Sequence, residues 1–320
     1  MPDTDIAKES FLPPEPLQFR LAVDARPERL DKVLAQLLPD HSRSRLQGWI
    51  ASGHVLVNDH AVKNKQTVYP GDVITVWEQI PPEALAFAPE DVTFCVVAES
   101  PDWIIVDKPA GLVTHPGAGN WHGTLLNGLL YRYPELASVA RAGIVHRLDK
   151  DTSGLLVVAR HDRAQTHLVR QLQARSVSRE YLALVHGRVS DSGTIRAEIG
   201  RDPRVPVRMS VDRPVAAKAA VTHYTALRSG HTPEEKGVCL VQCVLETGRT
   251  HQIRVHMASI GHALVADTLY GGSCLAGATR QLLHARALRF DDFSSGQRIS
   301  FESPLATDFE QVLEAITWQD

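Results

Sequence analysis

At 320 residues, 43% of them hydrophobic, the chain is long enough for one large domain and a small one. No apolar run reaches membrane-spanning length, and the opening residues, MPDTDIAKES, are acidic, unlike a signal peptide, so a soluble cytoplasmic protein is expected. The formal charge of −3 conceals a basic middle, with 14 Lys and Arg against 8 Asp and Glu in residues 141–213, between acidic flanks; this fits a surface that faces a polyanion, and equally a solvated face.

Residues 1–18 are acidic and Pro-rich and are expected to form a disordered tail. A compact unit is expected from residue 19. RLDKVLAQLL places Leu30, Val33, Leu34, Leu37 and Leu38 at helical spacing, and Pro39 ends the helix. SRSRLQGWIASG predicts a second short helix, with Ser42 as N-cap and Gly53 as stop. HVLVNDHAVKNKQTVYPGDVITVWE then reads as short strands broken by an Asn-Asp turn and by Pro70-Gly71-Asp72. Taken together, RLDKVL, SRSRLQGWI, GHVLVN and the PGD turn resemble the S4 RNA-binding module over roughly residues 29–77; the alternative is a generic small α/β domain. The resemblance implies an RNA-binding domain over residues 19–79, with Arg43, Arg45, Lys63 and Lys65 as candidate RNA contacts.

IPPEALAFAPED, residues 80–91, has the composition of an interdomain linker, and residues 92–320 read as one larger domain. Its expected strands are FCVVAES, WIIVDKP, GLLVVAR, REYLALVHGRV, VTHYTAL, VCLVQCVLE and RQLLHARALRF. Its expected helices are TLLNGLLYRYPEL, RAQTHLVRQLQAR and THQIRVHMASIG. With no internal repeat and no βαβ rhythm, the pattern predicts an α+β fold around a mixed, mainly antiparallel sheet. Four scattered cysteines exclude a disulfide framework. Alternation makes Cys239 and Cys243 core residues, and no Cys/His cluster suggests a metal.

The stretch GIVHRLDKDTSGLLVVAR, residues 143–160, sets five ionisable side chains against a strand that must be buried. Asp149 sits in the turn before that strand, where neighbours control its charge and nucleophilicity. His146, Arg147 and Lys150 are expected to supply positive charge, and the Thr152 and Ser153 hydroxyls to bond the local backbone. For an isolated Asp in a turn a structural role is the ordinary reading. DTSG is also close to the aspartic-protease loop, but Ser153 displaces its Gly and no second copy of the loop exists. A serine-hydrolase elbow fails because GxSxG is absent.

The whole string HRLDKDTSGLLV resembles the signature of the pseudouridine synthases that act on large-subunit rRNA. VDKPAGLVTHPGAGN, SREYLALVHG and LETGRTHQIRVHMASIGHALVADTLYGG resemble three further motifs of that family, in the same order, so that the likeness runs over essentially residues 29–320. The resemblance implies that Asp149 is the essential carboxylate, whether it attacks the sugar, attacks the base or removes a sugar proton. It further implies that Arg254 pairs with Asp149 and that Tyr181 stacks on the uracil and assists proton removal. Arg147 then fills the space left by the flipped uridine, an extrusion the chemistry requires. His115, Arg249 and His251 lie in the same motifs and are assigned to site structure or RNA contacts, and Lys108 and Pro109 to the shape of the loop.

Because the isomerisation neither gains nor loses atoms, no cofactor and no metal are expected. The expected partner is 23S rRNA or the assembling large ribosomal subunit, and the expected state a monomer. The strings are closest to the branch of the family that modifies three uridines in the loop of helix 69. The alternatives are the branch that modifies other 23S sites and a catalytically silent RNA-binding assembly factor. The chain departs from the family pattern at SCLAGATRQ, residues 273–281, and at SGHTPEEKG, residues 229–237.

Overall fold

The computed structural model describes residues 15–79, 86–117 and 119–319, which divide into one unit within residues 1–81 and another within 82–320. In the first unit, strands β1 (Leu17–Arg20) and β2 (Glu28–Arg29) lead into helices α1 (Leu30–Leu37) and α2 (Arg43–Ala51). Strands β3 (Val55–Val57), β4 (His60–Ala61), β5 (Thr67–Val68) and β6 (Val73–Val76) follow. The Ser42 side chain caps α2 by accepting from the Arg45 amide, and the β3–β4 hairpin turns through Asn58 and Asp59, both at positive φ as a two-residue turn requires. Leu30, Leu34, Leu46, Val55, Ile74 and Val76 close one small core.

Two expected boundaries differ. Strand β1 begins at Leu17, inside the stretch expected to be tail, because Leu17 and Gln18 pair with Val76 and Thr75; residues 1–14 of that tail lie outside the described residues. Of the expected linker, residues 80–85 also lie outside them, and the remainder packs into the second unit. There the buried Asn127 amide donates to the Ala88 carbonyl at 2.8 Å, and the Glu90 amide donates to the Asn127 carbonyl at 3.1 Å.

The second unit continues with β7 (Cys95–Glu99), β8 (Trp103–Lys108), α3 (Leu125–Arg132), β9 (Ser153–Ala159), α4 (Asp162–Gln173) and β10 (Ser178–His186). Next come β11 (Ser192–Arg196), β12 (Ile199–Arg201), β13 (Met209–Ser210), β14 (Val215–Lys218), β15 (Val221–His231) and β16 (Gly237–Leu245). Last are α5 (Gln252–Ser259), β17 (Leu283–Asp291), β18 (Arg298–Glu302), α6 (Thr307–Glu314) and β19 (Thr317–Trp318). One sheet runs β11-β15-β16-β10-β17-β9-β8-β7, with β18 on β17 and β19 on β15. All its pairings are antiparallel except β9–β17, so the mixed, mainly antiparallel sheet is as expected. Cys239 and Cys243 are buried in its core.

The one parallel pairing matters for function. It sets Ser153 and Gly154, just after Asp149, beside His284 and Ala285. The expected strand at RQLLHARALRF starts late, at Leu283, because the preceding Arg280 turns aside to pair with Asp308 at 2.6 Å.

Candidate active site

Two glycines pin the HRLD turn. A Cβ on Gly143, which has φ 76°, would lie 1.8 Å from the Ala159 carbonyl oxygen, and one on Gly154, at φ 108°, would lie 2.3 Å from that of Ala285. No side chain fits either place without moving backbone. Between them, Thr114 Oγ1 donates to the Leu148 carbonyl at 2.7 Å, and the Gly111 amide donates to the Lys150 carbonyl at 2.9 Å. Fully buried Lys108 spends its three donors on the carbonyls of Pro109, Leu112 and Lys150 at 2.7, 2.9 and 2.9 Å. Burial pushes its pKa down to about 7 against the opposing charges of Asp149 and Asp151. The loop-shaping role expected of Lys108 is thus a clamp on the backbone beside Asp149.

Asp149 lines a cleft of about 730 Å³ together with Arg147, Tyr181, His115, Arg249 and His251, so six of the residues singled out in the sequence meet there. Arg254 stands behind it. This guanidinium, only 7% exposed, donates from Nη1 to Asp149 Oδ2 at 3.2 Å, while Nε and Nη2 grip Asp267 at 2.7 and 2.9 Å. The Tyr270 ring lies 5.1 Å from it, and the Tyr270 hydroxyl bonds His251 Nδ1 at 2.7 Å. Arg254 is therefore held on one side by a two-point carboxylate grip and on another by a ring, leaving one nitrogen for Asp149. Asp149 Oδ1 has no hydrogen-bond partner among the described residues.

Tyr181 is buried in the wall of the cleft. Burial raises its hydroxyl pKa, the charge of Arg179 opposes that, and Asp149 adds to it, so the phenol is neutral. His115 is also neutral, pushed down to about 4 by burial and then by Arg147 and Arg141. Arg147 is exposed, with no hydrogen bond or ion pair among the described residues. Arg249 anchors its Nε on the Ala219 carbonyl at 3.1 Å.

Two expectations for the motif need correction. His146 adds no positive charge: its Nε2 accepts from the Val157 amide at 3.2 Å, and burial, with help from Arg179, pushes its pKa down to about 3. The hydroxyls do not bond the local backbone either. Ser153 Oγ meets His284 Nδ1 at 3.0 Å, and Thr152 Oγ1 has no hydrogen-bond partner among the described residues.

The state of His146 gives a pH dependence. From pH 6.5 down to about 3 the unfolded chain takes up a proton that the folded chain refuses. Stability therefore falls as the pH drops through 6.5, by at most about 1.4 kcal/mol per pH unit for this group. His146→Gln, which keeps an acceptor for Val157, is expected to flatten the fall of Tm below pH 6.5. Parallel Tm–pH curves for the two proteins would contradict this.

In the first unit, Lys63 and Lys65 are exposed and Arg45 is half-buried. Arg43 is committed to Asp31, a fully buried carboxylate that also accepts from Arg29 and Gln47, with Nη2 at 2.8 Å. Burial raises the Asp31 pKa, but the Arg43, Gln47 and Arg29 hydrogen bonds outweigh it and hold the carboxyl well below the usual range. Arg43 thus has a structural task in addition to any contact with RNA.

Sequence reasoning missed Asp267, Tyr270, Arg179 and Thr114, although all four fall inside quoted motifs. The two segments that depart from the family pattern meet each other, the Glu234 carboxylate accepting from the Ala276 amide at 3.1 and 3.2 Å, and neither lines the cleft. Among the described residues no group of three or more His, Cys, Asp or Glu side chains is placed to hold a metal.

A carboxylate presented by an arginine at the head of a cleft lined by Arg141, Arg147, Arg179 and Arg249 suits an enzyme that works on a nucleic acid. The family model of RNA pseudouridylate synthases matches residues 102–259, and that of the S4 domain matches residues 28–74. The chain belongs to the RNA pseudouridine synthases and is an isomerase of that family. Its relatives include proteins named ribosomal large subunit pseudouridine synthase D. That of Neisseria meningitidis serogroup B is 48% identical over 90% of this chain and 78% of its own. That of Nitrosomonas europaea is 49% identical over 90% and 84%, and that of Pseudomonas aeruginosa 46% over 90% and 92%. Among solved structures, human RNA pseudouridylate synthase domain containing 1 is 27% identical, covers 74% of this chain with 96% of its own, and superposes with a TM-score of 0.53.

Proposed function

We propose that the enzyme isomerises uridine in 23S rRNA, at the three uridines of the helix 69 loop, as a cytoplasmic monomer without cofactor, and that Asp149 is its essential carboxylate. The observation that carries the role of Asp149 is its position, lining the cleft with one carboxylate oxygen held by Arg254. The relatives' names support the rRNA target, and the resemblance of the motif strings supports helix 69.

The reaction breaks N1–C1′, turns the detached base and joins C5 to C1′, releasing the C5 proton and returning one to N1. Asp149 meets the electron demand at the sugar or the base. Arg254 keeps it aimed, because Asp267 fixes the guanidinium that faces it. Tyr181 offers an aromatic face and a neutral hydroxyl at the wall where the base would lie. The reacting atoms are out of reach inside a stacked helix, so the uridine is flipped out, and exposed Arg147 is suited to fill the gap it leaves. Arg141, Arg147 and Arg249 at the cleft give the phosphate backbone its counter-charges.

Incubation with unmodified, deproteinised 23S rRNA, followed by carbodiimide-blocked primer extension, is expected to give stops in the helix 69 loop. Stops elsewhere would keep the chemistry and move the target to the other branch. Bound RNA without stops, on rRNA and on large-subunit particles alike, would leave a silent RNA-binding assembly factor.

A further inference from the structure

Three buried charged side chains have compensation: Arg254 has two carboxylates, Lys108 three carbonyls, Asp31 two arginines and a glutamine. Arg179 does not. It is 7% exposed, no carboxylate lies within ion-pair distance among the described residues, and its Nε is buried without a hydrogen-bond partner. Its one hydrogen bond is long, from Nη2 to the Glu246 carbonyl at 3.5 Å. Burial pulls its pKa below the ordinary arginine value, as befits a charge that the protein leaves uncompensated.

Such a group is costly to keep, and a buried unpaired cation is normally paired or replaced. The fold nevertheless makes room for it. A Cβ on Gly248 would lie 2.5 Å from Arg179 Nη1, so the absence of a side chain at 248 leaves the guanidinium its place. Arg179 and Tyr181 alternate on β10, both buried and both lining the cleft, so the cation sits at the depth of the tyrosine. Exposed Arg147 and Arg249 stand where a phosphate backbone, which stays in solvent, would run. What enters as deep as Tyr181 is the flipped base.

We propose that Arg179 is a catalytic residue that binds a carbonyl oxygen of the flipped uracil and stabilises the negative charge the base carries while detached. This rests on the pseudouridine synthase reading of the site. When N1–C1′ breaks, the bonding pair stays on the base and is shared among N1, O2 and O4, while Asp149 answers the deficit at the sugar by bonding to C1′ or by taking a sugar proton. The pair is then used from C5 to form the new bond to C1′ as Asp149 leaves C1′ or returns the sugar proton, and the C5 proton leaves while N1 takes one up. A fixed, desolvated cation at O2 or O4 is unpaired before the base arrives and best compensated at the step of highest charge.

The test compares wild type with Arg179→Met and Arg179→Lys under single-turnover conditions, on RNA carrying uridine, 2-thiouridine or 4-thiouridine at the target. Arg179→Met is expected to slow the chemical step about 100- to 1000-fold, with the RNA Kd changed less than about threefold, and Arg179→Lys to recover part of the loss. The Tm of Arg179→Met should be unchanged or higher, since that substitution removes an uncompensated buried charge. One of the two thio substitutions should slow wild type and leave Arg179→Met no slower than it already is. A lowered Tm with an unchanged rate would make Arg179 structural, and a weakened Kd with additive thio effects would make it a phosphate contact; either overturns the proposal. Wild type inactive on the uridine RNA would instead refute the reading of the site itself.

Discussion

Asp149→Asn is expected to lower pseudouridine formation about ten-thousand-fold while the protein remains folded and bound to RNA. Asparagine keeps the size and an oxygen for Arg254 Nη1 and removes only the charge. Arg254 retains its two-point grip on Asp267, so Tm should change little. Binding to a polyanion should not weaken either, because the substitution removes a negative charge from a cleft lined by arginines. Single-turnover assays with Tm and filter-binding measured on the same preparation check all three statements. Substantial turnover in the variant would remove Asp149 from the chemistry.

Asp267→Ala should cost more stability than any substitution at Asp149. Asp267 is 1% exposed and holds two nitrogens of a guanidinium that is itself buried. Its loss leaves Arg254 with the single 3.2 Å contact to Asp149, and breaking a buried pair by removing one partner costs about 3–5 kcal/mol. In a unit of this size that corresponds to a drop in Tm of roughly 10 °C. The rate should fall about 100-fold as well, since the group that aims Asp149 is no longer fixed. Differential scanning calorimetry and single-turnover rates measure both, and a variant with unchanged Tm and rate would show that Arg254 needs no support.

The sequence made the chemistry more legible than the architecture. Asp149, Arg254 and Tyr181 are readable because each stands in a string whose neighbours are constrained for separate reasons, such as the two glycines that flank the turn. Asp267 was not readable. In ALVADTLYGG a lone aspartate before threonine is an ordinary turn residue, and its partner becomes apparent only once the loop folds back on α5. His146 was misjudged for a related reason. Its charge depends on enclosure and on a backbone amide eleven residues away, neither of which a string of letters displays.

Ser153 illustrates the non-local limit. Its partner His284 lies 131 residues on and is brought beside it by the sheet's one parallel pairing, which no local periodicity encodes. The short strands β12–β14 run two to four residues with little alternation, too little for a period to show in the sequence. Helix α6 was within reach, since Phe309 and Val312 are spaced as one helical face and both are buried.

The most direct test of the central claim uses 23S rRNA labelled with tritium at C5 of uridine, because joining C5 to C1′ must expel that hydrogen while binding or backbone cleavage of the RNA does not. Wild type is expected to release one tritium for each pseudouridine formed, and Asp149→Asn none. Pseudouridine formation or tritium release by Asp149→Asn at the wild-type rate, from a preparation free of wild type, would contradict the account.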